Sequence, residues 1–340
     1  MLNDIEKSDI KEILDDLDTK LLCNKVFLIT GATGSLARYI ALSLLEFYRS
    51  NPHCAGKVIL SARNEDKIKD IFSDYFEYDF FQYITGNVET KISYEGNIDY
   101  IIHAACVSNS NFFSTNPVEI ISANTVGTYQ LLEFAKEKKV KAFLFFSSGA
   151  VYGGITLDDY SYNGIDPLNS KNCYAISKKM GENLCASFFD EYNLNAKIVR
   201  IGYTYGPHID FNDGHLYSDF IRAIYNRETL IIRGNPQKRI GLCYVTDAVR
   251  AFFKVLFEGT AKTPYVMRNI TNVMTIQELA ECLTNKVFKD KNLQYICNTN
   301  GSVDNTEFRK PELLYWLGWK PRISIEEGFK RVLTSMEGYR

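Results

Sequence analysis

Two residues four apart, Tyr174 and Lys178, stand in the segment Asn172-Cys173-Tyr174-Ala175-Ile176-Ser177-Lys178. A serine-rich segment, Phe145-Phe146-Ser147-Ser148-Gly149-Ala150-Val151-Tyr152-Gly153, lies just upstream. A phenol, an ammonium and a hydroxyl in this order suit proton transfer to or from an alcohol while a nicotinamide exchanges a hydride. Positions i and i+4 share a helix face, so Lys178 projects toward the same ligand as Tyr174. Ile176, Met180, Leu184 and Phe188 recur at four-residue steps and predict that helix. Tyrosine is abundant, with 22 residues, so the pair gains meaning only from the elements around it.

Those elements alternate. Apolar runs at 25–30, 57–61, 81–85, 98–103, 141–147 and 196–201 predict strands. Between them, helical spacing falls at 36–47, 66–75, 117–138 and around Tyr174. The order predicts an α/β protein with a Rossmann-type, doubly wound parallel sheet that binds ligands at the carboxyl ends of its strands. The first strand runs into Thr30-Gly31-Ala32-Thr33-Gly34-Ser35-Leu36-Ala37. Gly31 and Gly34 permit a tight turn and close approach to a pyrophosphate, and Thr33, Ser35 and Leu36 offer N–H groups at the helix N-terminus. The second strand ends Leu60-Ser61-Ala62-Arg63 with no acid to repel a 2′-phosphate. Ser61 and Arg63 therefore favour NADP over NAD. Asn87 and Val88 follow the third strand, where adenine binds. Ala104 and Ala105 end the fourth and leave room for the cofactor, while His103 beside them reads as structural. Asn124, on the long helix, sits near the cofactor or bonds backbone.

After about residue 202 the alternation stops. Gly206-Pro207, Asn212-Asp213-Gly214 and Gly234-Asn235-Pro236 are turn signals, and helices are expected over 216–226, 247–258 and 276–285. The division is an N-terminal helical extension (1–24), a dinucleotide-binding domain (25–202) and a mainly substrate-binding region (203–340) whose segments return to the main sheet. The extension repeats Ile10, Ile13, Leu14, Leu17 and Leu21 at helical spacing, which suits packing on the outside of the domain or on another subunit.

The 340 residues are 46% hydrophobic and 24% charged, as in a globular protein with a sizeable core. A net charge of −2 argues against nucleic acid as a partner. The eight cysteines form no Cys-x-x-Cys pair and meet only four histidines, so no metal site is expected. They read as small core residues of a reducing compartment, Cys106, Cys185 and Cys243 among them, rather than as a disulfide framework. No stretch approaches the roughly 20 apolar residues of a membrane span, and 1–24 lacks the apolar run of a signal peptide. A cytoplasmic location is expected.

Taken together, Gly-x-x-Gly-x-x-Ala, His-Ala-Ala, Asn124-Thr-Val-Gly127-Thr, Ser-Ser-x-x-Val-Tyr-Gly and Tyr-x-x-x-Lys resemble the extended short-chain dehydrogenases/reductases. The resemblance is to the nucleotide-sugar epimerase/dehydratase family, with a flavour of the UDP-glucuronate decarboxylase branch, over about 25–335. It implies a homodimer joined through the 117–138 and Tyr174 helices, and chemistry at C4 of a hexose on a nucleoside diphosphate. Tyr174 is then the general base or acid, Lys178 lowers its pKa and holds the nicotinamide ribose, and Ser148 rather than Ser147 bonds O4. Ser108, Tyr203, Asn212 and Arg239 face the substrate. The family's carboxylates at positions 149 and 150 are here Gly149 and Ala150, which disfavours 4,6-dehydration and decarboxylation. Tyr203 and Ile240 replace an Asn and an Arg that serve the diphosphate, with Arg239 as a substitute one residue away. The resemblance favours an epimerase, with an NADPH-dependent 4-ketoreductase as the alternative and a non-catalytic NADP sensor as a third possibility.

Overall fold

The structure is a computed structural model that describes residues 2–107, 109, 111–153, 165–288, 294–298 and 312–337. Helix α1 (Asp4–Asp15) precedes β1 (Val26–Thr30), α2 (Ser35–Ser50), β2 (Lys57–Ala62), α3 (Glu65–Phe72), β3 (Phe81–Thr85) and β4 (Tyr100–His103). A short α4 (Phe112–Thr115) leads into α5 (Pro117–Lys138), β5 (Ala142–Ser148), α6 (Cys173–Tyr192) and β6 (Ala196–Ile201). Then come β7 (Thr204–Tyr205), α7 (Leu216–Asn226), β8 (Leu230–Ile232), β9 (Arg239–Gly241), β10 (Cys243–Tyr244), α8 (Val245–Glu258) and β11 (Pro264–Met267). The remainder is β12 (Val273–Thr275), α9 (Ile276–Glu281), β13 (Tyr295–Cys297), α10 (Glu312–Trp316) and α11 (Ile325–Glu337).

Seven strands form one sheet in the order β11-β6-β5-β4-β1-β2-β3, all pairs parallel. The order reverses between β1 and β4, which opens a crevice at their carboxyl ends. Successive residues of a strand face opposite sides. Leu28, Ile59, Ile101, Phe143 and Phe145 therefore join α5 and α6 on one face, through Leu131, Leu132, Cys185 and Phe188. Phe27, Ile29, Val58, Leu60, Ile102, Leu144 and Phe146 pack on the other against α2 and α8. Both faces are covered, which accounts for the near-continuous apolar strand sequences.

Most expected elements appear within a residue or two. The 66–75 segment divides into α3 and a 3₁₀ turn at Ser73–Tyr75. The 276–285 helix widens after Glu281 into a π-turn over Cys282–Val287. Strand β11, at Pro264–Met267, pairs with β6 at the edge of the main sheet.

The N-terminal extension packs on its own chain, against α2, α8 and α11. It does so through charge as well as apolar contact. Glu6 and Asp9 are fully buried. Glu6 meets His208 at 2.6 Å and Arg38 at 3.3 Å. Asp9 accepts from Tyr39 (3.0 Å), Tyr244 (2.8 Å) and Arg331 (2.8 Å).

One expectation is corrected. Cys23 and Cys54 are joined by a disulfide, while the other six cysteines are free. Sequence spacing gave no sign of this because the two lie 31 residues apart. The fold brings their loops together: Tyr48, on α2, donates its hydroxyl to Leu22 O (2.7 Å) and Lys25 O (2.9 Å). Among the described residues, no helix is long and apolar enough to cross a membrane.

Candidate active site

The loop after β1 is shaped by what it must clear. Gly31 has φ +67°, and a Cβ there would lie 2.7 Å from the Ala105 Cα and 2.9 Å from the Ala104 carbonyl carbon. Gly31 O instead accepts from Gly34 N at 2.9 Å, and Ala32 N donates to Ser61 O at 3.2 Å. Gly34 caps α2 without a side-chain hydrogen bond, so the first N–H groups of the helix keep their capacity for an anion. Thr33 is half-buried, Ser35 exposed and Leu36 half-buried along this turn. Ala104 and Ala105 line the same crevice, and Ala105 N donates to Thr30 Oγ1 at 3.3 Å. A pyrophosphate fits this cradle: small residues on one side, unshared N–H groups on the other.

The base end is less committed. Ser61 is buried within β2. Arg63 lies at the surface and is engaged by Glu119 at 2.9 Å. Asn87 is exposed, its carbonyl accepting from Thr90, and Val88 packs so closely on α5 that a Cβ at Gly127 would meet it at 2.6 Å.

His103 is structural in its bonding. Its Nδ1 meets Thr30 Oγ1 at 2.9 Å and its Nε2 meets Thr128 Oγ1 at 3.0 Å. Complete burial, aided by the Lys178 charge, pushes its pKa down to about 3, so it stays a neutral link between β1, β4 and α5.

The reacting end is built from β5 and α6. Alternation along β5 separates its two terminal serines. Ser147 turns inward to Glu182, which also takes Arg200 through Nε (2.9 Å) and Nη2 (2.7 Å). Ser148 lies beside Tyr174, close enough to act on its pKa, and its Oγ accepts from Ala150 N at 3.1 Å. Tyr174 stacks on Phe113, with ring centroids 4.9 Å apart. Burial raises its pKa above the usual tyrosine value and the nearby Cys106 thiol adds to this, while Ser148 works in the other direction. Lys178, almost wholly buried, donates to Phe146 O at 2.8 Å with its Nζ 5.9 Å from the Tyr174 ring centroid. Asn124 donates to Ser177 Oγ (3.0 Å), and Ser177 donates to Tyr174 O (2.9 Å). Asn124 thus ties α5 to the backbone of the Tyr174 turn, and its buried Oδ1 has no hydrogen-bond partner among the described residues.

Of the substrate-side candidates, Ser108 lies outside the described residues. Tyr203 is partly exposed between β6 and β7, its carbonyl accepting from Cys243 N at 2.9 Å. Asn212 is exposed, and its carbonyl takes Asn109 Nδ2 (2.9 Å) and Asn111 Nδ2 (3.2 Å), which joins the loop after β4 to the C-terminal part. Arg239 is exposed while its neighbour Ile240 is buried, as strand alternation requires. Sequence reasoning missed Phe113, Cys106 and Arg268, which belong to this crevice. No local motif marks them: Cys106 and Phe113 follow β4, and Arg268 follows β11.

The model of the NAD dependent epimerase/dehydratase family matches residues 27–270. UDP-glucuronic acid decarboxylase 6 of Arabidopsis thaliana is 28% identical over 311 residues, 90% of this chain and 87% of the relative. Human dTDP-D-glucose 4,6-dehydratase is 26% identical over 330 residues, 93% of this chain and 90% of the relative. Among solved structures, UDP-N-acetylglucosamine 4-epimerase from Methanobrevibacter ruminantium M1 superposes with a TM-score of 0.78 at 19% identity, over 94% of this chain and all of that one. UDP-glucuronic acid 4-epimerase from Bacillus cereus, crystallised with NAD, gives 0.75 at 18% identity over 93% of this chain and all of that one. The chain belongs to the NAD dependent epimerase/dehydratase family, an enzyme family of the extended short-chain dehydrogenase/reductase type.

Proposed function

We propose that the protein is a nucleotide-sugar epimerase that acts by reversible hydride transfer at C4, or a neighbouring carbon, of a hexose on a nucleoside diphosphate. The observation that carries this reading is Ser148 beside Tyr174 and buried Lys178, with only Gly149 and Ala150 following the serine. The Gly31–Leu36 turn would hold the pyrophosphate, Asn87 and Val88 the adenine, and Lys178 the nicotinamide ribose. When bound, the nicotinamide accepts and returns a hydride. Ser148 would hold the reacting hydroxyl through its Oγ, and Tyr174 Oη would take that proton and later give it back. A phenol whose pKa is raised by burial is a poor base alone. Lys178 and the positive charge of the oxidised cofactor supply the lowering that the reaction needs. Gly149 and Ala150 carry no carboxylate for elimination or decarboxylation, which supports simple exchange at one carbon.

A second reading, a 4-ketoreductase consuming NADPH, has its own support: no acid ends β2, and Ser61 and Arg63 stand there. Glu119, paired with Arg63, weighs on the NADP preference. Tyr203, Asn212 and Arg239 are proposed to contact the substrate, with Ser108. A homodimer through α5 and α6 is part of this proposal, as is a cytoplasmic site.

The test is turnover of a nucleotide-sugar panel with NAD and with NADPH, followed by absorbance at 340 nm and product NMR. Epimer formation without net cofactor change is expected. Net NADPH loss with a 4-keto sugar would select the reductase. Undiminished turnover in Tyr174→Phe would remove both.

A further inference from the structure

Arg268 is the first residue after β11, and register fixes its position. Ser148 pairs with Ile201, and Ile201 with Met267. Gly149, Gly202 and Arg268 therefore form the next rung, one step beyond the ends of β5, β6 and β11. Adjacent strands lie about 4.8 Å apart, so Arg268 starts two strands away from Ser148. Its side chain crosses that gap over glycine. A Cβ at Gly202 would lie 3.6 Å from Arg268 Cβ, and a Cβ at Gly149 would lie 3.8 Å from Arg268 Nη2. The guanidinium thus ends against the residue that directly follows Ser148. Tyr203 and Tyr152 lie close enough to act on its charge. Both carry a phenol rather than a carboxylate. Tyr152 also takes Arg200 Nη1 at 2.8 Å, which fixes its ring.

We propose that Arg268 is a specificity residue that selects a nucleotide sugar bearing a carboxylate on the carbon next to the reacting one, a uronate-type sugar. The inference rests on the nucleotide-sugar reading above. If Ser148 holds the reacting hydroxyl, the substituent of the adjacent ring carbon lies over Gly149, within reach of the guanidinium. A planar fork of N–H donors matches a carboxylate in two parallel hydrogen bonds, and a hydroxymethyl group uses only part of it. Glycine at 149 leaves that volume open to the ligand; a Cβ there would already be in van der Waals contact with Nη2. The charge at this position is thus opposite in sign to a catalytic carboxylate and serves binding rather than elimination.

The experiment is calorimetric binding of UDP-glucuronate, UDP-glucose and UDP to the full chain saturated with NAD. Wild type, Arg268→Met and Arg268→Lys are compared, with melting curves to verify folding. Wild type is expected to bind UDP-glucuronate at least about tenfold tighter than UDP-glucose. Arg268→Met should bring that ratio to about one and leave UDP unchanged. Arg268→Lys, a point charge in place of a fork, should narrow it severalfold and decides the matter if the methionine variant does not fold. Equal affinities in wild type, or a ratio untouched by the substitutions, overturn the inference. So does a matching loss of UDP affinity, which would assign Arg268 to the diphosphate. If the sugars bind without acid preference, only this inference falls. If neither the sugars nor UDP bind while NAD does, the nucleotide-sugar reading falls with it.

Discussion

At the scale of single residues, the site is a matter of where protons rest. Burial raises the Tyr174 pKa, and of its described neighbours Ser148 is the one that counteracts this. Ser148→Ala should therefore do two things. Turnover should fall by about 10- to 100-fold, within the range for a group that assists proton transfer. The rise of kcat/KM with pH, which tracks deprotonation of the base, should move to higher pH, because a lowering influence has been removed. A pH–rate profile measures this, and an unshifted limb with reduced turnover would leave Ser148 a substrate holder only. Ser147→Ala acts differently. It removes a partner of buried Glu182 and is expected to lower the melting temperature more than the rate.

Secondary-structure elements carry a different load. Helix α1 anchors the dinucleotide-binding sheet to the C-terminal part with carboxylates that are buried rather than solvated. It touches Arg38 and Tyr39 on α2, and Arg331 on α11. Desolvation raises the Asp9 pKa to about 6, against the pull of Tyr244, Arg331 and Tyr39. A carboxyl that holds its proton more tightly folded than unfolded adds stability below about pH 4, and that increment is lost as pH rises through about 6. A shift of this size corresponds to about 3 kcal/mol. Asp9→Asn cannot titrate. The wild-type stability relative to Asp9→Asn should therefore decline between pH 4 and 6 and level off above, as urea denaturation at stepped pH would show. Glu6 works in the opposite sense. Burial raises its pKa, but the His208 bond and charge, Asn3 and Arg38 outweigh that, and the net value is lowered. Its contribution is present above about pH 4.5 and is lost in acid.

The molecule as a whole presents an uncovered apolar stripe. Val118 (78% exposed), Ile121 (42%) and Tyr129 (44%) lie on α5, and Met180 (49%) and Tyr192 (44%) on α6. The two helices pack side by side, and exposed apolar residues of this kind mark candidate interfaces. A second copy of the chain docked there, helix pair on helix pair, is the proposed dimer. Ile121→Glu with Met180→Lys should convert it to a monomer with little change in the stability of each chain. Light scattering coupled to size exclusion would read this directly, and a monomeric wild type would sink the idea.

The sequence by itself determined the strand order of chemistry: a glycine turn after the first strand, a serine at the end of the fifth, and Tyr and Lys one helical turn apart. These are local facts, fixed by the periods of helix and strand, and the fold keeps them. The choice of Ser148 over Ser147 came from the family resemblance; alternation along β5 puts the two serines on opposite faces. Other features were decided only in three dimensions. Arg268 reaches Gly149 across β6 because parallel register aligns segments more than a hundred residues apart. Asn124 turned out to position α6 through Ser177, and the Cys23–Cys54 bridge closes loops that a linear reading keeps apart. Glu6 and Asp9, on α1, are buried where α2, α8 and α11 close over them. Burial and register depend on which distant segments meet, and no residue's own neighbours in sequence encode that.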